Sequence, residues 1–149
     1  TNQHFWNLKR HLNDNPDCHL ELAFDEDLSH LIYAGADMII MPSLFEPCGL
    51  TQMIALKYGA VPIVRSIGGL KDTVFDKDYD GKPWEERNGF VFYNADHAGL
   101  ESAMYRAINL WFAYPDDFRQ LMVHGMKYDY SWCRPGQDYM NIYEHIRCK

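Results

Sequence analysis

What the chain lacks narrows its function before any motif is read. No apolar run approaches the roughly 20 residues that a membrane-spanning helix needs, so no membrane partner is expected. Basic residues are outnumbered, 14 against 21 acidic, and the net charge of −7 is dispersed, which removes the electrostatic footprint of a nucleic-acid binder. The four cysteines, Cys18, Cys48, Cys133 and Cys148, have neither CxxC spacing nor the density of a secreted disulfide scaffold, and reduced thiols are expected. The seven histidines form no HxxxH pair and no Cys/His cluster, so no metal is expected; a bound cofactor is not expected either. Internal repeats and low-complexity segments are missing as well, and TNQHFWNLKRHL at the start has no charged-then-apolar leader pattern.

What is present suits one packed core: 47% apolar and 15% aromatic residues over 149 positions predict a single domain over residues 1–149. Phe5, Leu8 and Leu12 share one helical face, and a chain that opens in mid-pattern reads as an internal piece of a longer one. CHLELAF (18–24) alternates and predicts a strand, LSHLIYAGA (28–36) a short helix, and DMIIMP a strand buried on both faces as in a parallel sheet. Leu50, Met53, Ile54 and Lys57 line the next helix, which Gly59 ends, and AVPIV (60–64) follows as a strand. RSIGGLKDTVF (65–75) then supplies a Gly-Gly turn and another short helix. This alternation predicts an α/β fold with a Rossmann-like doubly wound parallel sheet.

The polar stretch DKDYDGKPWEERNG (76–89) reads as a long surface loop, a class often functional or mobile, ahead of the short strand FVFY. From Asp96 the pattern is helical, with Leu100, Met104, Ala107 and Trp111 on one face and Phe118, Leu121 and Met122 on another. A last helix is expected after Pro135. Three parallel-type strands and one short one make a thin sheet, so further strands are expected upstream.

SLFEPCGLTQMIAL (43–56) leads from a strand into a helix, the place where open α/β sheets bind ligands. Pro47 pushes Glu46 out of the helical region and itself suits a helix start. That predicts unpaired N–H groups on Cys48, Gly49, Leu50 and Thr51 at the positive end of the helix, with no Gly49 side chain to block approach. A carboxylate beside such donors suits sugar hydroxyls next to a phosphate. The alternative is that Glu46 only caps the helix, an interaction worth about 1 kcal/mol, although Asp, Ser, Thr and Asn are the usual caps.

FEPCGLTQ (45–52), LKYGAVPIVR (56–65) and GGLKDTV (68–74), with YAGAD (33–37), NGFVF (88–92) and YSW (130–132) in order, resemble the C-terminal lobe of the glycogen and starch synthases. These are retaining glucosyltransferases of the two-lobed GT-B fold, and the resemblance covers essentially all of the chain. It implies part of an ADP-glucose-binding lobe with a helical C-terminal region, the N-terminal lobe and the first strands of this lobe being absent. The activity implied is transfer of glucose from ADP-glucose to the non-reducing end of an α-1,4-glucan, with retention and without a metal.

The resemblance makes Glu46 the catalytic acidic residue at the donor glucose. It gives Cys48 and Gly49 to the sugar hydroxyls through their backbone amides, Leu50 and Thr51 to the distal phosphate, and Phe24 to the adenine. The residues alone equally read Phe24 as a core aromatic. Ile67 stands where the family usually has a threonine before the two glycines, and the Gly-Gly pair by itself reads as a tight turn. Ile54, eight residues after Glu46, replaces the second glutamate of other retaining GT-B families and agrees with the synthases. Trp84 is the tryptophan to test for stacking on glucan, while Trp111 is expected in the core.

The cations that would neutralise the departing diphosphate, and the opposite wall of the cleft, lie outside this segment, so the chain alone is expected to be inactive. Its expected partners are ADP-glucose, α-1,4-glucan and the missing lobe. The expected setting is a plant soluble starch synthase in the plastid stroma, with the bacterial cytoplasm as the alternative. A noncatalytic glucan- or nucleotide-binding module is the rival class.

Overall fold

Apolar and polar residues alternate with the helical period at the N-terminus, and the computed structural model, which describes residues 2–79 and 81–147, begins with helix α1 (Asn2–Asn13). Cys148 lies outside the described residues. The chain divides into two compact units, Thr1–Ile32 and Tyr33–Lys149.

In the first unit the segment after α1 doubles back along the helix and is tied to it by polar side chains. Lys9 Nζ donates to Glu21 Oε1 at 2.8 Å and Oε2 at 2.9 Å, and the Leu20 N–H donates to Asn13 Oδ1 at 2.7 Å. The Lys9 hydrogen bond, helped by the N–H groups of Ala23 and Leu22, pulls the Glu21 carboxyl down to about 2. CHLELAF (18–24), expected as a strand, is irregular here. A strand exists only when another strand supplies its ladder of hydrogen bonds, and among the described residues this segment pairs with none. Helix α2 (Glu26–Gly35) follows, with Glu26 and Asp27 at its positive end and the Leu28 N–H held by Asp25 Oδ1 at 2.9 Å.

The second unit is built on the expected parallel sheet. Strands β1 (Met38–Met41), β2 (Val61–Arg65) and β3 (Phe90–Phe92) lie in the order β1-β2-β3, with Met38 beside Val61 and Ile63 beside Phe90. They alternate with α3 (Thr51–Tyr58), α4 (Gly68–Thr73) and a 3₁₀ turn (Trp84–Glu86), and three helices close the chain: α5 (His97–Ala113), α6 (Pro115–Lys127) and α7 (Cys133–Arg147).

Period-two alternation sends Val61, Ile63, Phe90 and Phe92 to one face, where Ala103, Ala107 and Leu110 of α5 and Phe118 and Leu121 of α6 cover them. Val64 and Val91 point to the other face, against Leu70 of α4 and Val74. The sheet is therefore covered on both sides, as a parallel sheet must be. β1 is an edge strand among the described residues, which leaves Ile40 at 41% exposure instead of buried. Helix starts follow local chemistry: Asp96 Oδ1 accepts the Gly99 N–H at 2.8 Å to cap α5, and Pro115 opens α6 ahead of Asp116 and Asp117. α7 takes Pro135 into its first turn, where its missing N–H has no partner to lose.

Candidate functional site

Because all three strands are parallel, the loops that follow them leave from one edge: residues 42–50 after β1, 66–67 after β2 and 93–96 after β3. Arg65, the last residue of β2, ties two of these together. Its Nη1 donates to the carbonyls of Ser43 at 3.2 Å and Leu44 at 3.0 Å, and its Nε reaches the Tyr93 carbonyl at 3.4 Å. A hollow of about 260 Å³ opens beside this loop, between Pro42, Leu44, Phe92, Asp96 and Leu100 among others.

The helix after the loop starts later than the sequence suggests. α3 begins at Thr51, not at Pro47, because Gly49 has φ 76°, a left-handed conformation that breaks any helix running through it. Leu50 is the N-cap residue and no side chain caps the helix. Glu46 is half-buried ahead of it, and Ser43 Oγ donates to its Oε2 at 3.4 Å. The capping alternative for Glu46 is therefore not what the structure contains. Among the described residues the N–H groups of Cys48 and Leu50 have no acceptor, and those of Thr51, Gln52 and Met53 are the free first donors of α3.

Of the residues singled out from the sequence, Glu46, Cys48, Gly49, Leu50 and Thr51 thus lie on one loop at the carboxyl edge of the sheet. Cys48 and Thr51 are exposed, Leu50 is 64% exposed and Gly49 is buried. Phe24 belongs to the first unit, where it is 94% exposed. Trp84 is half-buried against the core, edge-on to His124 at 5.1 Å, with its N–H directed at Gln120 Oε1 at 3.2 Å, so its ring is committed to packing. Trp111 packs on the core as expected, edge-to-face with Phe118 at 4.9 Å.

Sequence reasoning underrated the Gly-Gly pair. A Cβ at Gly68 would run into the Glu46 carbonyl oxygen, and one at Gly69 into the Cys48 carbonyl oxygen. Two glycines in tandem after a strand are the signal for such close backbone approach, and here they let α4 lie directly on the loop that carries Glu46.

Gln52 was passed over altogether. It sits on α3 with no exposed surface, and its Nε2 donates to the Gly49 carbonyl at 2.9 Å and to Thr73 Oγ1 at 3.0 Å. Thr73 Oγ1 in turn donates to the Gly69 carbonyl at 2.7 Å. The Thr73 carbonyl accepts from Asn88 Nδ2 at 3.0 Å and from the Tyr130 hydroxyl at 2.9 Å. Burial pushes the Tyr130 phenol well above its ordinary range and keeps it a donor. Four of the sequence motifs, FEPCGLTQ, GGLKDTV, NGFVF and YSW, therefore converge on one threonine.

No family model matches the chain. Over 146 residues, 98% of its length, it is 65% identical to glycogen synthase 1 of Nitrosococcus oceani, and over 148 residues it is 61% identical to glycogen synthase 2 of Methylococcus capsulatus. It spans about 30% of the length of these curated relatives. Among solved structures, the catalytic domain of starch synthase IV from Arabidopsis thaliana, bound to ADP and acarbose, superposes with a TM-score of 0.90 at 42% identity. That match covers 96% of this chain and 29% of that one. On these likenesses and the parallel sheet, the chain is a starch/glycogen synthase fragment that matches part of a GT-B glycosyltransferase lobe.

Proposed function

We propose that this chain is the donor-binding part of a glucosyltransferase that moves glucose from ADP-glucose to the non-reducing end of an α-1,4-glucan with retention of configuration. The observation that carries the reading is Glu46: a carboxylate held ahead of α3, not used as a cap, beside N–H groups without acceptors. Such a group can hold ring hydroxyls of a donor sugar and favour the positive charge that develops at the anomeric carbon. The neighbouring donors of Cys48, Gly49, Leu50 and Thr51 suit the remaining hydroxyls and the distal phosphate. In the first unit, taken by itself, exposed Phe24 offers an aromatic face that suits an adenine ring. The ADP bound to the starch synthase IV structure supports an adenine nucleotide, and the acarbose bound there supports a glucan-like acceptor.

The chain is part of a two-lobed protein and needs the other lobe for the cations and the closed cleft. A span of 30% of the relatives' length supports that. The setting we favour is the bacterial cytoplasm, since the named glycogen synthases are bacterial; the expected plastid has no support among them.

The test uses the full-length protein that contains this segment. Incorporation of glucose into glucan should be seen with ADP-glucose and be much weaker with UDP-glucose. Glu46→Gln should lower turnover by about a hundredfold or more while the unfolding temperature stays unchanged. A noncatalytic module would bind ADP-glucose without elongating glucan, and normal turnover by a folded Glu46→Gln protein would refute the role of the carboxylate. The isolated 149-residue chain should be inactive.

A further inference from the structure

Gln52 is a buried polar residue in a helix that could have carried an apolar one. Its amide has its donor side fully used and its Oε1 unpaired, one of two such buried side-chain atoms among the described residues. An unpaired buried acceptor costs stability, and a leucine would avoid that cost. The orientation of the amide is dictated by its neighbours: the Gly49 carbonyl can only accept, and Thr73 Oγ1 gives its hydrogen to the Gly69 carbonyl. Nε2 must therefore face both, and Oε1 is left beside Gly49, 2.6 Å from where a Cβ would stand.

We infer that Gln52 is a positioning residue for donor binding: by drawing the Gly49 carbonyl inward it turns the Leu50 N–H outward. The Gly49 carbonyl and the Leu50 N–H belong to one trans peptide plane and point in opposite directions, so holding one aims the other. The left-handed Gly49 makes this plane easy to rotate, since glycine is the residue with the fewest steric limits on either side of it. One buried hydrogen bond then removes that freedom before the ligand arrives. Thr73 makes the hold rigid, because its hydroxyl joins Gln52 to the Gly69 carbonyl and its own carbonyl is clamped by Asn88 and Tyr130. The loop that bears Glu46 is thereby referenced to α4 and to the segment around Tyr130 through a hydrogen-bonded chain, not through apolar packing alone.

This inference rests on the donor reading of the loop and goes beyond it by assigning the orienting residue. The ligand groups that gain are those of a nucleoside diphosphate sugar; the glucan acceptor is not addressed by Leu50.

The experiment is steady-state kinetics of the full-length protein with Gln52→Leu and Thr73→Val. Gln52→Leu should raise the KM for ADP-glucose, and the inhibition constant of ADP, by about tenfold while the KM for glucan is unchanged. Thr73→Val, which keeps the bond to Gly49, should shift the same two constants in the same direction by about threefold. A purely structural role would instead lower the active fraction, so that kcat falls with every KM at its wild-type value; that result overturns the inference. Failure of both variants to fold also overturns it, by making the network a stability device. If the wild type itself does not use ADP-glucose, the donor reading fails first and this inference falls with it. A wild type active with ADP-glucose alongside variants of wild-type KM refutes Gln52 alone.

Discussion

Two loops of the second unit invite comparison, residues 42–50 after β1 and residues 76–89 before β3. By composition the second is the looser: it is polar, carries Gly81 and Pro83, and reads as a long surface excursion. In the structure it is strongly tied. Asp76, with 3% of its surface exposed, accepts the N–H groups of Asp78, Tyr79 and Val91 and forms a two-point ion pair with Arg106 of α5. Arg106 also reaches Asp78 and the Val91 carbonyl, while Asn88 is fully buried and Trp84 packs on the core. Loop 42–50 is held by its backbone at a few points, through Arg65, Gln52 and the two glycines, and leaves Leu44, Phe45 and Leu50 at 74%, 80% and 64% exposure. The difference teaches that polar residues which satisfy one another build structure. Residues that leave their groups unsatisfied at the end of a parallel sheet are the ones available to a ligand.

The largest effect that separates the loops should come from Asp76→Ala in the full-length protein. It leaves Arg106 with Asp78 as its remaining ion partner and takes the acceptor from three backbone N–H groups, and a loss of about 3 kcal/mol in the unfolding of the segment is expected, read by urea denaturation. A cost below about 1 kcal/mol would mean that the ion network does not hold loop 76–89.

Gly68→Ala should act on the other loop. The new methyl meets the Glu46 carbonyl oxygen at a backbone φ of 49°, so the loop must move, with a stability cost of about 1–3 kcal/mol and a disproportionate loss of turnover. Gly81→Ala, with open space around the added methyl, should change stability by less than about 0.5 kcal/mol. Equal effects of the two substitutions on turnover would erase the distinction between the loops.

The smallest effect is on pH dependence. Burial raises the Asp78 carboxyl, but the hydrogen bonds and charges of Arg106 and Lys77 outweigh it and leave the group below its ordinary value of 3.8. A carboxyl with a depressed folded-state value lends stability above its unfolded value, and that stability is lost as pH falls through the folded one. Acidification below about 4 should therefore loosen residues 76–79 first, seen as loss of hydrogen-exchange protection in peptides covering them, while peptides covering 46–50 exchange readily at either pH. Loosening of both loops together would contradict the separate anchoring.

Most elements of the second unit were legible because they rest on short-range rules. The apolar runs at 38–41 and 61–64, the Gly59 stop and the periodic faces of α5 and α6 each follow from local pattern. CHLELAF was misread because alternation specifies a strand only where a partner strand exists. The start of α3 was misplaced because Pro47 favours a helix start while Gly49, two residues on, adopts a conformation that no local rule demanded. Of the candidate site, Glu46 and the residues up to Thr51 could be found from spacing and resemblance. Gln52 could not, since one amide on an amphipathic helix is unremarkable until its neighbours are known.

By itself the sequence determined the order of helices and strands, the parallel sheet and the loop on which an acidic residue would meet backbone donors, because periodicity and proline and glycine placement act within a few residues. Only the tertiary structure decided that Glu46 is not spent on a cap, that Gly68 and Gly69 are a seat and not merely a turn, and that Gln52 and Thr73 wire distant motifs together. Those outcomes depend on contacts such as Gln52 with Thr73, 21 residues apart, and Thr73 with Tyr130, 57 apart, which burial brings within hydrogen-bond reach and which no local pattern encodes.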